Sequence, residues 1–316
     1  MDSPVEILLS TFNGEKYLNT QLESLFRQEY THWKLLIRDD GSTDATLSIL
    51  NTYIQKYPDK IKLVNDEEGN IGYANSFIKL LRQSSADYVM YCDQDDSWHP
   101  SKISTLLSVI LQEETKSPDT AHIVFSDLQL VDSEMNTIAP SFARMMKYSP
   151  KRNIRVFFLK SYVPGCNLIF NRTLIQQALK TENIVNLHDY WLLMVCSAIG
   201  KIAFVKQPLM KYRIHDKNAI GFSNKKNSFL SDLLLFVKDV LKYGVANKKY
   251  RTVLYWANIQ QMQNICERLK ANVSKDAMLF AGIDKSNYFL RKIKSITQPY
   301  LLERSLLKQL TYIICF

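Results

Sequence analysis

The stretch YCDQDDSWHP, residues 91–100, crowds Asp93, Asp95 and Asp96 into four positions directly after the apolar run ADYVM. Like charges this close repel one another. In one reading they form a solvated turn and are left to water. In the other, Asp93 and Asp95, spaced D-x-D, gather oxygen ligands around a hard divalent cation, Mg²⁺ or Mn²⁺, whose shell is completed by substrate phosphates. Such a cation would cancel the repulsion and offer positive charge to a diphosphate. D-x-D is common by chance, so the choice depends on what else lies nearby.

Several other polar segments bear on that choice. RDDGSTDAT ends an apolar run with Asp39 and Asp40, and Gly41 permits a sharp turn. One of Ser42, Thr43 or Asp44 then caps a helix beginning near Ala45. Capping accounts for everything after Gly41 but not for Asp39, a carboxylate able to accept an N–H from a nucleobase. EEGNIGYANS brings the amides of Asn70 and Asn75, with Gly69 and Gly72 letting the backbone approach a ligand; a tight loop before a helix explains the same residues. In LHDYWLL, Asp189 precedes an apolar helix, either as its N-cap or as a general base for an attacking hydroxyl. In KYRIHDKNAIG, Arg213 and His215 alternate with Tyr212 and Ile214, so a strand turns both to one face. Arginine suits phosphate oxygens, and histidine suits a metal or a phosphate.

The elements that must carry these residues follow from periodicity. VEILLSTF, WKLLIRDD, KIKLVND and DYVMYCD read as buried strands. YLNTQLESLFRQ, TLSILNTYIQKY, YANSFIKLLRQ and SKISTLLSVILQ, with apolar residues on one face, read as helices. This β-α alternation predicts a Rossmann-like α/β fold, a mostly parallel sheet with helices on both faces. Ligands of such sheets sit at the carboxyl ends of the strands, where STFNG, DDGSTD, NDEEGN and DQDD all fall. Further on, HIVFSDLQLVD and CNLIFN read as strands, DYWLLMVCSAIG as a buried helix ended by Gly200, and KIAFV and LMKYRIH as a closing strand pair. From about residue 228 the chain reads as amphipathic helices: FLSDLLLFVKDVLKYGV, VLYWANIQQMQNICERL and SLLKQLTYIICF.

LLSTFNGEKYL, IRDDGSTDAT, GNIGYANSF, CDQDDSW, HDYWL and YRIHDKN, in that order and spacing, resemble the family-2 inverting glycosyltransferases of the GT-A fold, and most closely their bacterial rhamnosyltransferase-like members. The resemblance covers roughly residues 5 to 222. It implies that Thr11, Phe12 and Asn13 line a nucleobase pocket in which Asp39 reads the pyrimidine edge. Asn70, Gly72 and Asn75 fall to the donor side. Asp93 meets the ribose or the metal shell, Asp95 holds the cation, and His215 completes the metal or phosphate site with Arg213 beside it. Asp189 is the base. The implied donor is dTDP-L-rhamnose, with UDP-sugars as the alternative. The implied acceptor is a hydroxyl of a cell-surface glycan or a lipid-linked saccharide.

Two other functions compete. A sugar-phosphate nucleotidyltransferase would want a Gly-rich, Arg-containing loop after the first strand, and STFNGEKYL has one Gly and no Arg. A non-catalytic nucleotide-sugar-binding protein would keep the pocket without needing both Asp95 and Asp189.

Composition bounds the rest. The 316 residues, 46% hydrophobic with 9 Gly and 9 Pro, suit a folded globular chain. Five scattered cysteines without a C-x-x-C pair suit reduced thiols, and MDSPVEILLSTF has neither a basic start nor a long apolar run, so a cytoplasmic protein is expected. The net charge of +9 is uneven: residues 222–316 hold 16 Lys and Arg against 6 Asp and Glu. The expected division is therefore a GT-A catalytic domain over 1–222 and a basic helical extension over 223–316. That extension would touch anionic lipid at the inner face of the membrane, pack on the catalytic domain, or self-associate. A nucleic-acid partner is not expected, because the catalytic part is not basic.

Overall fold

The computed structural model describes residues 3–145, 163–181, 187–215, 258–270 and 273–282. Strands β1 (Val5–Thr11), β2 (Trp33–Asp39), β3 (Ile61–Leu63) and β4 (Tyr88–Cys92) alternate with helices α1 (Leu18–Phe26), α2 (Thr46–Lys56) and α3 (Tyr73–Gln83). They pair in parallel in the order β3-β2-β1-β4, as the alternation predicts. β1 and β4 are buried along nearly their whole length because helices cover both faces.

The second half departs from a parallel sheet. β5 (Ser97–Trp98), α4 (Lys102–Lys116), β6 (His122–Val131), β7 (Thr137–Ala139) and α5 (Phe142–Met145) precede β8 (Leu168–Asn171), α6 (Arg172–Leu179), α7 (His188–Ile199) and β9 (Lys201–Arg213). β8 runs antiparallel to both β4 and β6, while β6 pairs with β9 in parallel. The nine-stranded sheet follows the path β3-β2-β1-β4-β8-β6-β9-β5, parallel from β3 to β4 as expected and mixed beyond, where β8 joins antiparallel. The predicted closing pair of strands is one strand, β9. Pro208, which has no N–H to give, sits at a register shift against Asp127, and this irregularity lets the strand run on through it.

The alternation of β1 sorts the core into two layers. Val5, Ile7 and Leu9 pack with Leu18, Leu22 and Leu25 of α1, Leu50 of α2 and Leu106 and Ile110 of α4. Leu8 faces the other way, toward Phe77 and Leu80 of α3 and the apolar helix α7. Complete burial of each such Leu or Ile stabilises the fold by about 2 kcal/mol. The second layer continues into the C-terminal region. Ile259, Met262, Ile265 and Leu269 of α8 (258–269), with Ala277 and Ala281 of α9 (Lys275–Ala281), join the cluster around Trp191. Asn264 Nδ2 donates to the Thr181 carbonyl and Ser274 N to that of Ala198. The described part of VLYWANIQQMQNICERL is therefore helical and packed on α7. The other two amphipathic stretches and the boundary at 222 lie outside the described residues. Cys92, Cys166 and Cys196 are buried, unpaired core residues.

Candidate active site

The site lies at the carboxyl ends of β1, β2 and β4 and is closed from one side by the end of β9. After β1, Thr11 is buried and donates its hydroxyl to Asp39 Oδ1 at 2.8 Å. Ser42 binds the same carboxylate twice, Oγ to Oδ1 at 2.6 Å and N to Oδ2 at 2.8 Å. Asp39 thus has a fixed orientation at the rim, and Thr11 acts on it from below. Asn13 turns through a positive φ of 46°, its N–H on Ser42 Oγ and its Oδ1 taking the N–H of Thr43. The Phe12 ring is left 46% exposed, an apolar surface at the mouth.

Asp40 is a buried hub of the neighbouring loop. Arg38 Nη1 donates to its Oδ1 at 2.5 Å, as does Ser76 Oγ at 3.0 Å, and it accepts the N–H groups of Ile71 and Gly72. Asn70 Oδ1 accepts from Gly72 N, and Asn75 Nδ2 donates to the Ile71 carbonyl. These contacts shape the loop that starts α3.

The acidic triplet separates into rim and interior. Asp93 and Asp95 are partly exposed, whereas Asp96 is fully buried, its Oδ1 accepting the Arg213 N–H at 3.0 Å. Burial, then the nearby Asp95 and Asp93 charges, push the Asp96 carboxyl well above the usual range. Burial and then Asp95 push Asp93 up to about 7, and Asp189 adds to the rise, so Asp93 and Asp189 lie close enough to repel. Cys166 approaches Asp93 and Asp96, with ligand atoms of all three within 4.8 Å of one another. Burial holds that thiol well above its usual range, so it stays protonated and is a poor ligand. The hard-cation donors are therefore the rim carboxylates. His215 Nε2 lies 2.8 Å from Asp95 Oδ2, so this imidazole joins the same set. Repelling carboxylates with an imidazole fit Mg²⁺ or Mn²⁺ by donor chemistry.

Arg213 and His215 do reach one place, as the alternation predicts. The Arg213 fork donates Nε to the Asp95 carbonyl at 2.7 Å and Nη1 to that of Ser133 at 2.5 Å, and its guanidinium lies over the Tyr17 ring at 4.3 Å. Its buried position makes it a brace for the acidic loop. Asp189 is in the first turn of α7 and half-buried; the residue before the helix is Leu187, so Asp189 is not the N-cap. A Cβ at Gly165 would come within 2.8 Å of Asp189 Cβ, so only glycine lets the 165–167 turn pass this close.

Residues 6–179 match the Glycosyl transferase family 2 description. The chain belongs to this family. Among curated relatives, the dTDP-rhamnosyl transferase RfbG of Shigella flexneri is 24% identical over 226 residues, 67% of this chain and 73% of that protein. Three further relatives are spanned over only 64% to 66% of their length. Among solved structures, S. aureus TarS 1-349 in complex with UDP superposes with a TM-score of 0.53 at 16% identity, covering 99% of this chain and 78% of TarS. The mannosyltransferase PcManGT from Pyrobaculum calidifontis, in complex with GDP-Man and Mn²⁺, gives 0.53 at 14%, covering 100% and 86%. The fold is thus the GT-A glycosyltransferase fold.

Within this family framework, three site neighbours escape the sequence reading. Tyr17 lies between Arg213 and His215, its ring centroid 4.8 Å from the imidazole. Gln94 bonds the β1 loop. Lys102 is fully buried, its Nζ donating to the Cys166 carbonyl at 2.7 Å and lying 3.7 Å from the Trp98 ring. Burial holds its ammonium down to about 8. Lys102 had a signal, since its spacing from Leu106 and Ile110 sets it on the apolar face of α4. Tyr17 and Gln94 had none, because their partners are distant in the chain.

Proposed function

We propose that the protein is an inverting, metal-dependent glycosyltransferase of polysaccharide biosynthesis that moves L-rhamnose from dTDP-L-rhamnose to a hydroxyl of a glycan or lipid-linked saccharide. Family membership supports sugar transfer. The observation that carries the reading is the meeting of Asp95 with His215, beside an Asp93 whose burial and charged neighbours raise it to about 7.

Asp39, held by Thr11 and Ser42, accepts from the base, and Phe12 offers a face to it. Asp95, Asp93 and His215 would hold the cation, which would stabilise charge on the departing diphosphate. Asp189 takes the proton of the acceptor hydroxyl while that oxygen bonds to the anomeric carbon. The bond from that carbon to the diphosphate oxygen breaks with its electron pair, from the opposite face, and configuration inverts. Arg213 keeps the Asp95 backbone fixed throughout.

The choice of rhamnose rests on the name of the Shigella flexneri relative at 24% identity. A UDP-sugar is the second reading, favoured by the UDP bound in the TarS structure. No described helix is long and apolar enough to cross a membrane. The basic C-terminal region is proposed to meet anionic lipid at the membrane surface, outside the part that packs on α7.

A donor screen tests the reading. A ligand that binds only the folded protein raises its melting temperature according to its affinity. With Mn²⁺ present, dTDP-rhamnose is expected to give the largest rise among dTDP-, UDP- and GDP-sugars. A larger rise with a UDP-sugar would reassign the donor, and no rise with any of them would remove the function.

A further inference from the structure

Gln94 sits between the two rim aspartates, yet its side chain points away from them to the loop after β1. Gln94 Oε1 accepts the Phe12 N–H at 2.9 Å, and Gln94 Nε2 donates to the Phe12 carbonyl at 2.9 Å. One amide thus satisfies both backbone groups of a residue 82 positions away, as a strand partner would. Gly14 makes room for it: a Cβ there would stand 2.2 Å from Gln94 Oε1 and 2.6 Å from its Cδ. The same loop is held from its other side, where Gly14 N donates to Thr46 Oγ1 at 2.8 Å and Asn13 N to Ser42 Oγ at 2.9 Å. Of these contacts, only the Gln94 pair ties the Phe12 loop to the acidic loop.

We propose that Gln94 is a positioning residue that clamps the nucleoside-binding loop to the cation-binding loop, fixing the distance between the base site and the diphosphate site. The inference rests on the proposed function, since it assigns a ligand to both loops. A nucleoside diphosphate held at both loops would have to span that distance. Two rigidly joined half-sites bind it without the cost of ordering one against the other, so the clamp acts on affinity through preorganisation.

The test measures binding of UDP and dTDP by calorimetry with Mn²⁺ present, and exchange of the Phe12 amide hydrogen without ligand. Gln94→Met removes both bonds while keeping bulk. It is expected to weaken the better-bound nucleotide roughly tenfold and to speed Phe12 exchange, with the melting temperature within about 2 °C of wild type. Gln94→Glu keeps the acceptor for the Phe12 N–H but loses the donor, and is expected to fall between. Gly14→Ala leaves Gln94 in sequence but drives its amide out, and should reproduce the loss. The same Gly14→Ala change made in a Gln94→Ala background should add no further loss, because the clash is gone. The non-additive pair shows that both changes act through the same amide, and weaker nucleotide binding at an unchanged melting temperature separates the clamp from a merely structural role.

Unchanged affinity and exchange in Gln94→Met would overturn the clamp, as would a fully additive double variant. If Gln94→Met fails to fold, Gly14→Ala and the double variant carry the same decision. If the wild type binds neither nucleotide, the proposed function falls and the coupling of two half-sites falls with it. The exchange arm then reports only on the bond to Phe12.

Discussion

His215 and Asp95, 120 residues apart in the chain, meet at 2.8 Å between Nε2 and Oδ2. Both side chains are mostly buried, at 13% and 15% exposure, so the pair is a fixed part of the site. Asp95→Ala is expected to abolish the gain in nucleotide affinity that Mn²⁺ brings. His215→Ala is expected to weaken Mn²⁺ binding by about 10- to 100-fold, the usual consequence of losing a ligand's support. Calorimetric titration with Mn²⁺ at fixed nucleotide checks both. Equal Mn²⁺ affinity in wild type and Asp95→Ala would end the assignment of this pair to a cation.

Asp189 and Gly165 give a second prediction. Asp189→Asn keeps the shape of the side chain and loses the base, so turnover should fall by about 10² or more while nucleotide affinity holds. Gly165→Ala presses a methyl group against Asp189, whose Cβ and Oδ2 would lie 2.8 and 3.2 Å away. It should therefore lower kcat more than it changes the donor KM. Steady-state kinetics separates the effects. Transfer within a few-fold of wild type in Asp189→Asn would leave Asp189 a helix-start residue only.

The Arg38 network predicts acid sensitivity. Arg38 is buried and donates Nε and Nη2 to the two Asp66 oxygens at 2.9 and 3.0 Å, and Nη1 to Asp40. Hydrogen bonding by Arg38, assisted by Lys79, holds the Asp66 carboxyl well below the usual carboxylate range. A depressed value means that the folded state holds this proton less tightly than the unfolded state does. The contribution is therefore fully present above about pH 4, the unfolded value, and is lost as pH falls below it. Asp66→Asn should cost on the order of 3 kcal/mol at pH 7, because it strips a partner from a buried guanidinium. It should also flatten the fall in stability below pH 4. Urea unfolding at pH 7, 4 and 3 measures both; parallel curves for wild type and variant would refute the assignment.

Much of the first half was legible because its strands are buried on both faces and its helices are amphipathic, so period and length separate them cleanly. Asp39, Asp95 and His215 were legible as rim residues for the same reason: each follows or ends an apolar run. The second half was harder. Helix α6 begins immediately after β8, and Asn171 serves both, ending the strand and capping the helix by accepting the Leu174 N–H. No loop residues separate the two elements, so CNLIFN reads as a strand followed by nothing. Pro208 breaks β9 into two apparent strands on paper. The antiparallel insertion of β8 between β4 and β6 is a tertiary choice that local pattern does not encode. Arg213 was read for its charge, but its burial and its carbonyl partners Asp95 and Ser133 depend on loops 118 and 80 residues away.

The docking of α8 and α9 on α7 also bears on how the chain could be shortened. Ile259, Met262 and Ile265 form part of the wall around Trp191, and all three are almost wholly screened from water. Trimming the chain after the last shared motif would strip that wall and leave a greasy face on an otherwise intact sheet. The trimmed fragment would be expected to clump or to need detergent, and that stickiness could be misread as affinity for lipid.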